Sequence, residues 1–415
     1  MVKITFLGDL MCKREQLRVV ANSTRTFHDI FSSVNGLFES SNFVVGNLET
    51  PLAGEQLGYT TLPGFFNTPS AFAEAIKASG IDLVTTANNH CLDRGVEGLR
   101  NTIRALDKIG LKHTGTYLSE EDSRDVCVVD IGGIRFSFIN FTYGTNSEFG
   151  HSPVLKKEEL WMVDLSKRQD VPIEKKNVKH KYFPRCKRDI LKVLPKRFLN
   201  ILLVVKNGDL PHFAAIPEYQ IDNVRSEAID DPVNEDCLNH QITKIKMAKE
   251  ISDVVVVLPH MGGQYNPSPG VYAKYVAERM VLAGADIVVA NHSHNPLECI
   301  VRDGVPIIYS LGNFCSTPNV DWFVPGSLGE YSVVLNVYWG QKTMKIERMT
   351  YSIVKNVVDG VGFSMTEPIN KIWERSTAKE RERLVVESNA VARRFSGAVG
   401  ISVEKNEISI KGVTK

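Results

Sequence analysis

Residues 285–298 read ADIVVANHSHNPLE. The apolar half has the length of a buried strand, and the polar residues after Ala290 mark the point where the chain leaves a sheet at a strand's C-terminal end. His292 and His294 stand two positions apart just beyond that point. Alternate residues share one face of a strand, and in a tight turn beyond it two imidazoles can still converge. Imidazole is the commonest side chain on transition metals. Taken alone, the motif is equally well explained as two surface histidines in a loop, so the question is whether other strand ends look the same.

Four more do. Residues 2–7 run into Gly8-Asp9, residues 42–45 into Gly46-Asn47-Leu48-Glu49, residues 81–86 into Ala87-Asn88-Asn89-His90, and residues 253–258 into Pro259-His260-Met261-Gly262. A carboxylate in a glycine turn at a strand's C-terminal end is where α/β folds place chemistry. Singly, each has a plainer explanation: Asp9 could cap a helix, and Asn89-His90 could be a buried pair satisfied by hydrogen bonds. Together the five ends supply two carboxylates, one amide oxygen, three imidazoles and one further histidine. That set suits two divalent first-row ions sharing a carboxylate, with the extra His as proton donor to a leaving oxygen.

The rest of the chain reads as the frame for these ends. Helices are expected over residues 69–78, 96–109, 239–251 and 271–283, with Gly80, Gly110 and Gly284 as stops. Residues 126–131 and 134–141, joined by Gly132-Gly133, read as a hairpin. A further strand is expected over residues 305–309, ended by Ser310-Leu311-Gly312-Asn313. Residues 333–338 and 344–353 read as an antiparallel sheet edge, and 368–395 as a charged helix. Residues 150–240 form an insert crowded with Lys and Arg between 175 and 197, with a hairpin expected around Asn207-Gly208-Asp209. Such a run could meet an anionic substrate, and a solvated face accounts for it as well.

The 415 residues carry a net charge of +1, are 43% hydrophobic and 23% charged, and include seven scattered cysteines. No overall field argues for nucleic acid or a membrane surface. Unpaired cysteines fit a reducing compartment, and no run reaches the ~20 apolar residues of a membrane span. A cytoplasmic location is expected, with oligomeric state open.

The motif order Gly8-Asp9, Gly46-Asn47-Leu48-Glu49, Asn89-His90-Cys91-Leu92-Asp93-Arg94-Gly95, Pro259-His260 and His292-Ser293-His294 resembles that of the calcineurin-like metallophosphoesterases. It is more similar still to the bacterial capsule synthesis (CapA, poly-γ-glutamate) family, over roughly residues 1–350. The resemblance implies an α/β (α+β) calcineurin-like metallophosphatase fold, a two-sheet β-sandwich flanked by helices with the site at strand C-terminal ends. It implies one domain over residues 1–360 and a C-terminal helical extension over 361–415. Asp9 and His294 would bind one metal ion, Asn89, His260 and His292 the other, and Glu49 would bridge where phosphoesterases use Asp. His90 would donate the proton, with Asn89 and Asp93 in the catalytic group. Asn47, Asn88, Arg94 and Asn313 would meet the substrate. Phosphoesterases place a His two residues after the first Asp; this chain has Met11 there, so the first ion would have one ligand fewer.

Three functions follow as expectations. The first is a metal-dependent hydrolase, a phosphoesterase using two ions of Mn, Fe or Zn (or only one) in capsule or envelope polymer biosynthesis through metal-bound hydroxide, on an anionic small-molecule or polymer substrate. The second keeps the ions but hydrolyses or transfers a γ-glutamyl amide. The third is a non-enzymatic accessory protein of a polymer-synthesis complex, with Met11 marking a weakened site.

Overall fold

A computed structural model of the chain describes residues 1–62, 64–147, 152–170, 229, 231–318 and 328–412. The hairpin expected around residues 207–209 and the basic run at 175–197 lie outside these.

Two sheets form the centre. In the first, β1 (Val2–Leu10), β2 (Phe43–Leu48), β3 (Leu83–Thr85) and β4 (Lys112–Thr114) run parallel. On the other side of β1 lie β11 (Tyr331–Trp339), β12 (Ile346–Val358) and β13 (Ser364–Pro368), all antiparallel, with β14 (Ile408–Ser409) pairing β12. The second sheet has the order β5 (Cys127–Ile131), β6 (Ile134–Thr142), β7 (Val254–His260), β8 (Ile287–Val289), β10 (Val305–Ile308), β9 (Cys299–Arg302). Its central pairs, β6 to β7, β7 to β8 and β8 to β10, are parallel.

The unbroken apolar runs follow from burial on both faces of each sheet. In β7, Val254, Val256 and Leu258 point between the sheets, where they meet Ile4 and Phe6 of β1 and Phe43 and Val45 of β2. Val255 and Val257 point the other way, into a core with Leu238 and Ile245 of α5 (Pro232–Ile251) and Val276 and Met280 of α6 (Val271–Ala283). The outer face of the first sheet is covered in the same manner: Val44 and Val84 pack with Phe72 and Ile76 of α2 (Ser70–Ala78), and Leu106 of α3 (Gly95–Ile109) joins them. The result is helix, sheet, sheet, helix: the expected two-sheet sandwich flanked by helices.

Local expectations differ in places. The short α1 (Arg14–Asn22) and α4 (Glu120–Arg124), and strands β4, β9 and β13, add to the expected elements. The helix expected from residue 239 begins at Pro232, capped by Asp231, whose carboxylate accepts from Val233 N at 2.9 Å. Residues 333–338 are not at a sheet edge, because β11 lies between β12 and β1. The helix expected over 368–395 is two, α7 (Ile369–Arg375) and α8 (Ala378–Ser396), separated by a capping box of Thr377 with Glu380. Residues 361–415 are not solely helical: β13 extends the sheet, and Leu384, Val391 and Phe395 of α8 join the core between the sheets.

Gly8 shows how closely the site's backbone is packed. Asp9 N donates to Gly312 O at 2.9 Å, and a Cβ on Gly8 would fall 1.8 Å from that same carbonyl oxygen. Backbone cannot yield as a side-chain tip can, so Gly8→Ala is expected to destabilise the fold by about 3 kcal/mol or more. Chemical unfolding measures this; a loss below about 1 kcal/mol would show that the two strand ends can part.

Candidate metal centre

The C-terminal ends of the parallel strands of both sheets converge on one cleft. β1 carries Asp9, the turn after β2 carries Glu49, and the turn after β3 carries Asn89, His90 and Asp93. β7 ends at His260, and His292 and His294 follow β8. All are buried. The backbone turns sharply after β8, with His292 at φ 111° and His294 at φ 56°. A non-glycine residue with positive φ is costly and persists where its surroundings fix it. Here Met261 N donates to Asn291 O at 3.0 Å and Tyr265 N to Ser293 O at 2.7 Å, holding the turn on both sides. The two rings therefore enter the same cleft, 5.7 Å apart at their centroids.

Two groups of potential ligand atoms result, each within 4.8 Å: Asp9, Glu49 and His294, and Glu49, His260 and His292. Glu49 is in both. Its Oε1 lies 3.5 Å from His260 Nε2 and 3.8 Å from His294 Nε2. Asn89 joins the second group through Oδ1, 2.9 Å from His260 Nε2. Met11 is buried.

The donor set fits divalent metal ions on a direct observation. Asp9 Oδ2 and both oxygens of Glu49 are buried with no hydrogen-bond partner. Buried carboxylate oxygens without donors are strongly disfavoured, whereas cations satisfy them, and carboxylate, amide oxygen and imidazole together suit first-row divalent ions. Ionisation tells the same story. Burial, then the charge of Asp9, pushes the Glu49 carboxyl up to about 8. Burial pushes His260 down to about 4 and, with the neighbouring histidines, holds His292 well below its ordinary value. Burial would also raise Asp9, but His294, His260 and the Asn47 amide outweigh it and leave that carboxyl low.

These shifts predict how the metal-free protein responds to pH. Glu49 keeps a proton in the fold that the unfolded chain releases near 4.5, so its contribution to stability is lost as pH rises toward about 8. His260 acts oppositely, costing stability as pH falls from 6.5 toward about 4. Above 6.5 the Glu49 effect stands alone of the two, and His90, whose pKa is raised, adds to it with the same sign. The melting temperature in chelator is therefore expected to fall between pH 6.5 and 8, and divalent ions to remove the fall; a flat or rising profile in chelator would contradict the burial of Glu49.

His90 lies beside the two groups without joining either. Its Nδ1 is 2.8 Å from Asp93 Oδ2, an oxygen that also accepts from Phe66 N at 2.7 Å. The Phe66 ring packs against the imidazole with centroids 4.5 Å apart. Burial works against a charged His90, but the Asp93 carboxylate outweighs it and raises the ring's pKa.

The four residues expected to meet substrate have protein partners. Asn47 Nδ2 donates to Asp9 Oδ1 at 2.8 Å, while its Oδ1 accepts from Thr85 Oγ1 at 2.9 Å. Asn88 Nδ2 donates to Leu48 O at 2.8 Å, and its Oδ1 accepts from His90 N at 3.1 Å. Asn313 Oδ1 lies 2.9 Å from His294 Nδ1, which leaves His294 Nε2 directed toward Glu49. The Arg94 guanidinium lies 3.9 Å over the Phe65 ring and donates to the carbonyls of Gly58, Asp93 and Phe65. These contacts hold the candidate ligand residues and the loop beside them, which spacing in the sequence does not reveal. Among the described residues, no helix is long and apolar enough to cross a membrane.

The chain is 24% identical over 315 residues to the capsule biosynthesis protein CapA of Bacillus anthracis, and 25% identical over 315 residues to the PGA biosynthesis protein CapA of Bacillus subtilis. Each match takes in 75% of this chain but only 59% and 62% of those proteins. A putative 5′-nucleotidase of Staphylococcus aureus superposes with a TM-score of 0.40 at 11% identity, covering 94% of this chain and 58% of that one, a likeness too distant to carry weight. The family described as bacterial capsule synthesis protein PGA_cap matches residues 3–318, which takes in every ligand-type residue of the cleft, and to that family this chain belongs.

Proposed function

We propose that the chain is a metal-dependent hydrolase of phosphate esters, serving capsule or envelope polymer biosynthesis. The observation that carries this reading is Glu49, whose two oxygens are buried, unpartnered and common to both ligand groups. Asp9, Glu49 and His294 would hold one divalent ion, and Glu49, Asn89, His260 and His292 the other, with Mn, Fe or Zn as candidates. When bound, such ions supply Lewis-acid polarisation of a phosphoryl oxygen. The protein's own part is positional. Asn47 fixes Asp9, Asn313 fixes His294, and Asp93 takes Nδ1 of His90, so proton exchange with a leaving oxygen falls to Nε2. The Phe66 ring packs against the imidazole, and His90 is buried from bulk water.

The test is metal content by elemental mass spectrometry with hydrolysis of phosphate monoesters and diesters. About two ions per chain are expected, and His292→Ala with His294→Ala should remove both metal and turnover. Unchanged hydrolysis by the double variant would sink the reading. The names of the Bacillus relatives favour a second reading, in which the same cleft cleaves or transfers a γ-glutamyl amide. Supplying a γ-glutamyl peptide in the same assay separates the two, and polymer binding without turnover of either would favour an accessory role.

A further inference from the structure

An asparagine that ligates a cation must present oxygen and not nitrogen, yet the two ends of its amide are nearly the same shape. Something must hold Asn89 one way round. Its Oδ1 faces His260 Nε2 at 2.9 Å, and its Nδ2 donates to Asn146 Oδ1 at 3.2 Å. Turned over, Asn89 would set a donor against the ion and lose the acceptor behind it.

Asn146 is built for this place. It is buried, 8% exposed, and adopts φ 56°, a left-handed conformation that asparagine and aspartate tolerate best after glycine. The turn that carries it follows β6 and is clamped on both sides. Gln169 Nε2 donates to Thr145 Oγ1 at 2.5 Å, Ser147 Oγ donates to Asp170 O at 2.6 Å, and Thr142 Oγ1 donates to Gly144 O at 2.9 Å. The acceptor thus stands in a fixed position, 57 residues along the chain from the amide it meets.

We propose that Asn146 is a positioning residue that orients the Asn89 amide toward the ion shared with Glu49, His260 and His292; this rests on the metal-site reading above. Residues 145–147 and 169–170 thereby tie the root of the insert to one ion and not the other.

The experiment is Mn2+ titration of the full chain by calorimetry, for wild type, Asn146→Gly, Asn146→Asp and Asn89→Ala. Glycine keeps the left-handed backbone and removes the acceptor; aspartate keeps both. Asn146→Gly should weaken one of the two ions by about 10–100-fold and leave the other unchanged. Asn146→Asp should bind both as wild type does, and Asn89→Ala should lose the same ion that Asn146→Gly weakens. If Asn146→Gly binds both ions normally while Asn89→Ala loses one, the metal site stands and the proposal fails. Asn146→Asp binding as weakly as Asn146→Gly would also overturn it. Absence of binding in wild type would remove the metal reading and this proposal together.

Discussion

Glu49→Gln is expected to lower turnover by about 1000-fold or more and to strip the protein of metal, while making the metal-free chain more stable at pH 8. The two effects have one cause. Glu49 is the residue common to both ligand groups, and burial and the Asp9 charge push its carboxyl up to about 8. An amide of the same shape removes the anion that the two proposed ions would share. Losing several kcal/mol of transition-state stabilisation corresponds to the stated fall in rate, at about 1.4 kcal/mol per tenfold. The same substitution removes a charge that the cleft disfavours without metal, so the melting temperature in chelator should rise by about 3 °C or more. Elemental analysis, steady-state kinetics and thermal unfolding read the three consequences separately. Full metal content and turnover in Glu49→Gln would mean that the two groups are independent of their shared carboxylate.

Asp93→Asn should act on the proton and leave the metal alone. Asp93 lies outside both ligand groups, so metal content is expected to match wild type. What changes is His90, whose raised pKa comes from the carboxylate 2.8 Å from its Nδ1. Without that charge, less of the ring is protonated at neutral pH. Hydrolysis of an alkyl phosphate, whose leaving oxygen needs a proton, should fall by about 100- to 10,000-fold. A nitrophenyl ester leaves as a stable anion and should be slowed by less than about tenfold. The high-pH limb of the alkyl-ester profile should move to lower pH, because the acid form of His90 is then lost earlier. Equal losses on both esters would show that Asp93 serves structure and not proton transfer.

Much of this cleft could be read from the chain alone. A strand buried on both faces has to be a short apolar run, and the polar residues after it are obliged to sit at its end. Asp9, Glu49, Asn89, His260, His292 and His294 were found as candidates for that reason. The weaker elements were not legible. β4 is Lys112-His113-Thr114 with only Thr114 buried, and α1 buries only Gln16 and Val19, so neither carries an apolar pattern that could declare it, and the break at Ser376-Thr377 is a capping box inside a continuous charged pattern.

What the sequence by itself determined is the inventory of ligand-type residues and the alternation of strands and helices, because both follow from local patterns of apolar and polar residues; the layering into two sheets was implied by the family resemblance. Which of them meet was decided only by the tertiary structure. Glu49 belongs to both groups because β2 lies beside β1 in one sheet while the ends of β7 and β8 face it from the other. Asn47 on Asp9, Asn313 on His294 and Asn146 on Asn89 are contacts across 38, 19 and 57 residues. An asparagine carries no pattern that names its partner; its amide is committed only when packing brings a donor or acceptor within hydrogen-bond reach.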